Sequence, residues 1–329
     1  MLNTKTALGL DVSKLTIDVC LLRPDGSKQT MKISNDVAGF QLLLHWLVDL
    51  DLDTVHACLE PTGTYSRPVS YYLADAGIKV SLVNSFAVQS HGRSKKIRSK
   101  SDRIDAFLLA DYCLKENPET WTAPSKGQSE LRELQHRLDS VKEEIQQERN
   151  RLEAGSDSKF VLNDIEENLG RLLVRAEKLQ KELKQHVQRD ERLAPDFKIL
   201  SSIIGIGEAS ALKMLALIRF DQFTEGRKVA CFAGLTPRRF ESGTSIHKRE
   251  HISRIGSSDL RRALYFPAMV AMQHNPHLRE FADRLKAKGK PSKVVICAVM
   301  RKLLVLAAAL IRTRKSYDPE YGRSTAAIR

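Results

Sequence analysis

The sequence of 329 residues predicts an α/β domain at its start and a mostly helical region after it. Three short apolar runs, separated by turn signals, open the chain at 7–12, 16–22 and 29–33. Strand-like and helical segments then alternate as far as Trp121. Beyond residue 125 the apolar residues recur at intervals of three and four, which is the spacing of one helix face. Together, these three observations predict the fold class.

The first three runs are expected to pair as antiparallel strands. Residues 7–12 and 16–22 flank a tight connection at 13–15, and RPDG at 23–26 is a strong turn signal before 29–33. Polar and apolar residues alternate in 29–33, as they do in a strand with one buried face. The opening of the chain therefore predicts a three-stranded antiparallel unit.

The next elements alternate between helix and strand. A helix is expected after Asn35, a strand at 55–59, a helix at 69–76 that ends at Gly77, and a strand at 80–83. Three antiparallel strands followed by alternating helices and strands are the order of the RNase H-like class. Actin-like ATPases and sugar kinases open in a similar way, but they need a second glycine-rich phosphate loop that this sequence lacks.

Four acidic residues stand where an RNase H-like fold holds metal ions. Asp11 and Glu60 each close an apolar run, which places them at the ends of two predicted strands. Asp102 and Asp105 begin a helical pattern three residues apart, so their carboxylates share one face and can share one metal ion. Such carboxylates hold two Mg²⁺ ions about 3.5–4 Å apart for phosphodiester chemistry. A structural alternative, in which Asp102 caps the helix and Asp105 favours its first turn, fits the spacing equally well.

The formal net charge of +13 indicates a polyanionic partner. Nucleic acid is the first candidate, although structural binding to ribosomes or chromatin would give the same charge. Residues 90–100 carry five basic side chains and no acidic one, directly before the acidic helix. A solvated loop is the alternative, but we favour contacts to backbone phosphates by Arg93, Lys95, Lys96, Arg98 and Lys100.

Long charged helices are expected between residues 126 and 192. The apolar residues of 131–152 follow a heptad in which Glu148 is the one polar interruption. Those of 165–183 resume the heptad after a break at 155–158. An antiparallel helical hairpin and an oligomerising coiled coil both fit this pattern.

The C-terminal region begins with Gly205 and Gly207 between apolar helical segments. This pair is typical of a helix-hairpin-helix, whose backbone N–H groups approach phosphates, and equally of a plain tight turn. A polar, glycine-bearing loop follows at 232–245 and carries Ser242. Basic residues are frequent around and after it, and we expect nucleic-acid contacts from Arg238, Arg239, Lys248, Arg249, Arg254, Arg261 and Arg262.

Cysteine spacing and hydropathy favour an intracellular protein without a membrane span. The cysteines are far apart, which argues against a zinc site or disulfides and predicts small buried residues in a reducing cytoplasm. The N-terminal apolar run is too short for a signal peptide and is broken by Asp11. The apolar segment 294–311 carries Arg301 and Lys302 at its centre, where a bilayer disfavours charge, so a buried helix is expected.

Four separated motifs occur along nearly the whole chain: GLDVSK at 9–14, EPTGTY at 60–65, KSDRIDA at 100–106, and FAGLTP at 232–237 with ESG at 241–243. In this order they resemble the motifs of the DEDD transposases of the insertion-sequence one-ten family. Four motifs in register are far more specific than any one of them. The sequence departs from its relatives at Ile204, where proline is frequent, and this bears only on the detail of the glycine turn.

The resemblance implies a RuvC-like catalytic domain at 1–125, a coiled coil or helical hairpin at 126–192, and a transposase domain at 193–329. It also implies a tetrad of metal ligands, Asp11, Glu60, Asp102 and Asp105, with Ser242 as the nucleophile. The expected cofactor is Mg²⁺ at a two-metal site, with Mn²⁺ able to replace it. The expected partners are donor and target double-stranded DNA, a bridge RNA that pairs with both, and further copies of the chain, as dimers that assemble into a tetramer in the bacterial cytoplasm.

The implied function is site-specific recombination that excises and inserts the protein's own element. A RuvC-like Holliday-junction or structure-specific endonuclease is an alternative, which would use the carboxylates with water and have no use for Ser242. A non-enzymatic nucleic-acid-binding protein would explain the charge but not four acidic residues in register. Without the resemblance, a Glu-Ser-Gly sequence would more often only end a loop through backbone hydrogen bonds.

Overall fold

The computed structural model describes residues 6–95, 101–242, 246–253 and 255–321. The chain forms two compact units, residues 1–123 and 124–329. Residues of the predicted helical middle region share one apolar core with the helices that follow them. The boundaries at 125 and 192 stay predictions.

The first unit is built on a five-stranded mixed sheet in the order β3-β2-β1-β4-β5. Its strands are β1 (Thr6–Val12), β2 (Thr16–Leu22), β3 (Lys28–Ser34), β4 (Val55–Leu59) and β5 (Lys79–Leu82). Neighbours among β1, β2 and β3 are antiparallel, whereas β4 pairs parallel with both β1 and β5. The predicted antiparallel opening is confirmed, and so is the α/β class of this unit.

The described residues of the first unit also form a 3-10 turn at Leu52–Thr54 and four helices: α1 (Val37–Trp46), α2 (Ser66–Asp75), α3 (Ser85–Ser94) and α4 (Asp102–Glu116). Side chains of a strand point alternately to the two faces of the sheet. Leu8 and Leu10 of β1 lie in one core with residues of α1 and α2. Ala7 lies in another core with Cys58 and residues of α4. The odd-numbered residues of β1 therefore face α4.

In its described residues the second unit is helical apart from one β-hairpin and a 3-10 turn at Phe220–Gln222. Its helices are α5 (Lys126–Ala154), α6 (Lys159–Arg189), α7 (Leu193–Ser202), α8 (Glu208–Leu217), α9 (Gly226–Phe232), α10 (Ser258–His274), α11 (Pro276–Ala287) and α12 (Ser292–Thr313). The β-hairpin consists of β6 (Pro237–Ser242) and β7 (Ile246–Ile252), which pair antiparallel. The helical character predicted for this region is confirmed, but the loop predicted at 232–245 is wrong for Pro237–Ser242, which form strand β6.

Helices α5 and α6 pack against each other as a helical hairpin. Heptad residues of both helices, such as Leu131 and Leu183, are buried in its core. Glu148, the polar interruption, is also buried and accepts hydrogen bonds from Arg151 at 2.8 Å and Asn168 at 2.9 Å. These donors compensate the burial of its charge. The predicted hairpin is therefore formed within one chain, and oligomerisation through these helices stays a prediction.

The glycine pair forms a tight turn between α7 and α8, as predicted. Gly205 has a φ of +110°, and a Cβ there would lie 2.6 Å from the Cβ of Ala271 in α10. The side-chain nitrogen of Asn275 donates to the carbonyl of Ile204 at 3.1 Å. Gly205 is therefore required by the backbone conformation and by the contact with α10. A phosphate contact at this turn stays a prediction.

Replacement of Gly205 by alanine should lower the free energy of unfolding by about 2–4 kcal/mol, because it adds backbone strain and a steric clash. Gly207 offers a matched control, since its φ is −79° and a Cβ there would have open space. Gly207→Ala should cost less than about 1 kcal/mol. Urea unfolding followed by circular dichroism measures both variants, and equal stabilities would contradict this role of Gly205.

Among the described residues, α12 is the one helix long and apolar enough to cross a membrane. One of its faces, which includes Val295, Val299 and Leu303, is fully buried in the core of the second unit. Near its centre the Lys302 ammonium lies 4.2 Å from the centroid of the Phe281 ring in α11, a cation–π contact. These contacts agree with the predicted buried helix.

None of the five cysteines, all of which lie in the described residues, forms a disulfide. Cys20, Cys58 and Cys113 are buried, as predicted, and Cys297 is half-buried. The prediction is wrong for Cys231, which is exposed. In the short helix α9 the buried face is formed by the two preceding residues instead, Val229 and Ala230.

Candidate active site

Asp11 and Glu60 lie next to each other at one edge of the sheet. Strands β1 and β4 are parallel neighbours with Leu10 opposite Leu59. Asp11 directly follows Leu10, and Glu60 directly follows Leu59. Glu60 directly follows β4, and Asp11 is the last residue but one of β1. Because side chains alternate along a strand, both carboxylates belong to the face that α4 covers.

Gly9 allows α4 to lie directly on β1. A Cβ at Gly9 would lie 2.0 Å from the carbonyl oxygen of Ala106 and 2.4 Å from the backbone nitrogen of Ala110. From Ala106 back to Asp102 the helix rises by about 6 Å, and from Gly9 to Asp11 the strand advances by about 6.6 Å. The close approach at Gly9 therefore brings the first turn of α4 level with Asp11.

The other three predicted acidic side chains act electrostatically on Asp11. The pKa of Asp11 is raised from its ordinary value of 3.8 to about 6. Burial is the largest cause, followed by the negative charges of Asp105, Asp102, Glu60 and Asp18. The end of β1, the end of β4 and the start of α4 thus bring their carboxylates into one neighbourhood.

Helix α4 begins at Asp102, and its cap is the preceding residue. The side chain of Ser101 accepts a hydrogen bond from the Ile104 N–H at 3.4 Å. The structural alternative is therefore wrong about Asp102 as the cap, but Asp105 does lie in the first turn, as that alternative expects. Asp102 is exposed and Asp105 half-buried in the first helical turn, where acidic residues favour the helix dipole.

The donor set suits a divalent cation such as Mg²⁺. Carboxylates offer only oxygen ligands, which hard cations prefer, and a cation would offset the burial and the negative charges that together raise the pKa of Asp11. In the described part of the chain, no three His, Cys, Asp or Glu side chains are placed to ligate one ion together. The carboxylates would have to turn toward a common point, and the residues that would then hold the ion are Asp11, Glu60, Asp102 and Asp105.

Two contacts beside these carboxylates were not predicted from the sequence. Asp18 of β2 lies opposite Asp11, is buried, and pairs with Lys32 of β3 at 3.0 Å. Ser85, the first residue of α3, donates a hydrogen bond from Oγ to Oε2 of Glu60 at 2.5 Å. A single carboxylate inside the apolar run 16–22 is the signal that could have identified Asp18. Ser85 carries no such signal, because its contact depends on the pairing of β4 with β5.

The raised pKa of Asp11 predicts a pH-dependent effect of Asp11→Asn on stability. The pKa of Asp11 is about 6 in the folded protein and 3.8 ordinarily, so its protonated form stabilises the fold at low pH. This stabilisation is lost as the pH rises from 3.8 through about 6. Asp11→Asn avoids this loss, so without metal it should be more stable than wild type by about 1–2 kcal/mol at pH above 7, after allowance for partial exposure. At a pH of about 4 the gain should be small.

Urea unfolding in EDTA at both pH values measures this difference. Asp49→Asn is the control, because Asp49 is an exposed aspartate in the same unit. It should show no pH-dependent gain. An Asp11→Asn effect of equal size at both pH values would contradict the raised pKa.

Ser242 lies in the second unit, at the end of β6, and pairs in register with Ile246 of β7. Residues 243–245 and Arg254 lie outside the described residues. The four acidic residues belong to the first unit. A site shared by Ser242 and these carboxylates stays a prediction.

Two family models match the chain. One, described as a transposase, matches residues 8–160, a segment that contains all four acidic residues. The other, described as transposase IS116/IS110/IS902 family, matches residues 197–283 and contains Ser242. The chain belongs to the IS110 family of transposases. The resemblance inferred from the motifs is thereby confirmed.

Relatives of this IS110-family chain include proteins of similar length. The pilin gene-inverting protein of Moraxella bovis is 33% identical over 319 residues, 96% of this chain and 98% of that protein. Its namesake from Moraxella lacunata is 32% identical over the same shares of the two chains. The uncharacterized 43.6 kDa protein of insertion element IS110 from Streptomyces coelicolor is 31% identical over 121 residues, 36% of this chain and 30% of that protein.

The basic segment before α4 is described only as far as Lys95. Arg93 is exposed near the end of α3. Lys95 is paired with the buried carboxylate of Asp111, which also binds His91 at 2.6 Å and Lys115 at 3.4 Å. Burial raises the pKa of Asp111, but hydrogen bonds from Lys95 and His91 more than offset this, so the pKa lies below its ordinary value. The other predicted contacts of this segment lie outside the described residues: Lys96, Arg98 and Lys100.

The predicted basic contacts of the second unit fall on the β-hairpin and on α10. Arg261 donates to the carbonyl oxygens of Ala233, Gly256 and Ser257 at 3.1, 3.2 and 3.3 Å, so it holds the start of α10 to the preceding loop. Arg262 is exposed and donates to Asp259, one helical turn earlier, at 2.5 Å. On strands β6 and β7 lie Arg238, Arg239, Lys248 and Arg249.

Proposed function

We propose that this IS110-family transposase is a site-specific recombinase that excises and inserts its own DNA element. The observation that carries this proposal is the coupling of Asp11 to Glu60, Asp102 and Asp105 at one edge of the sheet. The strand order, with an antiparallel β1–β3 unit and parallel β4 and β5, supports an RNase H-like domain of the RuvC type. In that fold, carboxylates at strand ends and on a covering helix serve phosphodiester chemistry.

In the proposed site the four carboxylates bind Mg²⁺, which Mn²⁺ can replace. Bound divalent ions polarise the scissile phosphate and stabilise the oxygens that attack and leave. The protein's part is to orient the ligands. The sheet fixes Asp11 and Glu60, α4 presents Asp102 and Asp105, and Gly9 keeps the helix close to the sheet.

The proposed nucleophile is Ser242, and the proposed partners are donor and target DNA. A bridge RNA that pairs with both would supply sequence recognition, so the protein would contact mainly backbone and duplex shape. The net charge of +13 and the basic residues of both units support such contacts. Dimers assembling into a tetramer in the bacterial cytoplasm would bring two DNA duplexes together.

The test is recombination in vitro. The protein is purified from cells that carry the flanking DNA of its gene, any co-purified RNA is sequenced, and donor and target plasmids are added. We expect joined products in Mg²⁺ or Mn²⁺, none in EDTA, and an enriched RNA from the non-coding flank whose removal abolishes joining. Joining in EDTA would overturn the metal site, and RNA-independent joining would overturn guidance alone.

Inversion of the DNA between two sites is a second candidate outcome of the same chemistry. The full-length similarity to two proteins named for pilin gene inversion favours it. Plasmids that carry two recombination sites in inverted or direct orientation separate the possibilities. Efficient inversion with little excision would favour this second function.

A RuvC-like endonuclease and a non-enzymatic binding protein would each give a different result. If the protein is such an endonuclease, its Ser242→Ala variant would still cut branched DNA, because water and not the serine would be the nucleophile. The binding protein would give no covalent or cleaved product with any metal ion, yet would bind nucleic acid fully.

A further inference from the structure

The carboxylate of Glu60 accepts a hydrogen bond from a serine that belongs to none of the sequence motifs. Ser85 Oγ donates to Glu60 Oε2 at 2.5 Å, which is at the short end of hydrogen bonds between a hydroxyl and a carboxylate. Both side chains are half-buried, so competition from water is reduced but the carboxylate remains accessible. The bond occupies one lone pair of Oε2 and leaves Oε1 available for another partner.

The backbone fixes the position of Ser85. Strands β4 and β5 are parallel with Leu59 opposite Leu82, and the Val83 N–H donates to the Leu59 carbonyl at 2.9 Å. Asn84 then caps α3 by accepting a hydrogen bond from the Phe86 N–H at 2.8 Å. Because Asn84 is the N-cap, Ser85 is the first residue of helix α3. The contact with Glu60 therefore follows from strand pairing and helix capping.

The far end of α3 is anchored to the helix that carries the other two acidic residues. A Cβ at Gly92 would lie 3.1 Å from Leu108 of α4, so the two helices are in close contact there. His91 of α3 bonds to the buried Asp111 of α4 at 2.6 Å. Helix α3 thus bridges Glu60 at its start and α4 at its end, and Ser85 belongs to a braced element.

We propose that Ser85 is a positioning residue that holds the carboxylate of Glu60 in the orientation needed to bind a divalent cation. This inference rests on the proposed function, in which Glu60 is a metal ligand. Carboxylates that bind metals are themselves held by hydrogen bonds, and loss of such a partner typically lowers metal affinity or activity by 10–100-fold. The same range is expected here for the loss of the Ser85 hydroxyl.

The experiment compares metal binding by four full-length proteins: wild type, Ser85→Ala, Ser85→Thr and Ser90→Ala. Ser90 is a matched control on the same helix, because it is exposed and its hydroxyl donates to the Phe86 carbonyl instead. Mn²⁺ binding is followed by electron paramagnetic resonance, and the Mg²⁺-induced rise in melting temperature is measured in parallel. The Mg²⁺ concentration that gives half-maximal recombination is the third readout.

We expect Ser85→Ala to weaken binding of both ions by about 10–100-fold and to need correspondingly more Mg²⁺ for recombination. Ser85→Thr keeps the hydroxyl and Ser90→Ala keeps the Glu60 contact, so both should bind within about threefold of wild type. Wild-type affinity in a folded Ser85→Ala protein would overturn the proposal. Should Ser85→Ala fold poorly, Ser85→Cys, a weaker donor of similar size, should bind with reduced affinity, and wild-type affinity there would overturn the proposal as well.

Glu60→Gln separates this inference from the proposed function. Loss of metal binding in Glu60→Gln with wild-type affinity in Ser85→Ala would remove the role of Ser85 and leave the metal site in place. Unchanged metal binding in Glu60→Gln would instead remove Glu60 from the metal site, and the role of Ser85 with it.

Discussion

Asp11→Asn and Asp102→Asn should each lower the rate of strand exchange by about 1,000-fold or more, which corresponds to about 4 kcal/mol in the transition state. Each change replaces a charged oxygen ligand by a neutral amide in a site whose proposed task is to bind divalent cations. The fold should persist, because asparagine keeps the shape of the side chain and Asp11 is only half-buried. Binding of DNA and RNA should remain near wild type.

Recombination of donor and target plasmids, with DNA binding measured in EDTA, checks both expectations. Asp49→Asn removes an exposed aspartate from the same unit and serves as the control. Normal recombination by either Asp11→Asn or Asp102→Asn would remove that residue from the metal site. Loss of nucleic-acid binding together with activity would indicate misfolding or a binding role instead.

The strands and the positions of the acidic residues were predictable because their signals are local. The apolar runs 7–12 and 16–22, with a connection of three residues, leave little choice other than antiparallel pairing. Asp11 and Glu60 each end such a run, so strand boundaries alone give their positions. The parallel pairing of β1 and β4 then places them side by side.

The packing around these residues was not predictable, since it depends on contacts between distant segments. In the sequence, Gly9 simply lies between two apolar residues. Only the packing of α4 on β1 shows that a side chain at this position would clash with Ala106. Asp18 and Lys32 become partners through the register of β2 with β3. No periodicity within one segment carries information of this kind.

Charge alone does not reveal the intramolecular partners of single basic residues. Lys95 lies in a basic run, yet its ammonium pairs with the buried Asp111 from the next helix. Arg261 lies in a second basic region, yet its guanidinium bonds three backbone carbonyls. Net charge predicts the class of partner, whereas the pairing of each cation depends on the tertiary structure.

Ser242→Ala should abolish the covalent protein–DNA intermediate and lower recombination by roughly 10⁴-fold or more, as expected for loss of a nucleophile. In the proposed step the Ser242 oxygen forms a bond to phosphorus and its proton leaves to a base. One bridging P–O bond of the DNA breaks, and the departing oxygen takes up a proton. The phosphodiester energy stays in the serine linkage, so the strands can be rejoined without a further energy source.

A serine hydroxyl is a weak nucleophile and needs nearby groups that stabilise the charge developing on phosphate. Arg238 and Arg239 share strand β6 with Ser242, and Lys248 and Arg249 lie on the paired strand β7, so the two strands carry four basic residues against two acidic ones, Glu241 and Glu250. Trapping on a nicked substrate followed by peptide mapping identifies the linked residue. We expect Ser242 to carry the DNA, and Ser245→Ala to form the adduct normally. A link to Ser245, or full recombination by Ser242→Ala, would remove this mechanism.

Mixing two inactive variants tests whether the serine and the carboxylates of one active site come from the same subunit or from two subunits. Asp11→Asn keeps the nucleophile and Ser242→Ala keeps the metal ligands, so neither chain alone contains a complete site. If the site is shared between subunits, mixed oligomers contain some complete sites, and recombination should return to a measurable fraction of wild type. If both groups of a site come from one chain, the mixture should stay inactive while trapping still assigns the adduct to Ser242 in the wild-type protein. An active mixture together with an adduct on another residue would show that Ser242 supports the reaction without attacking the phosphate.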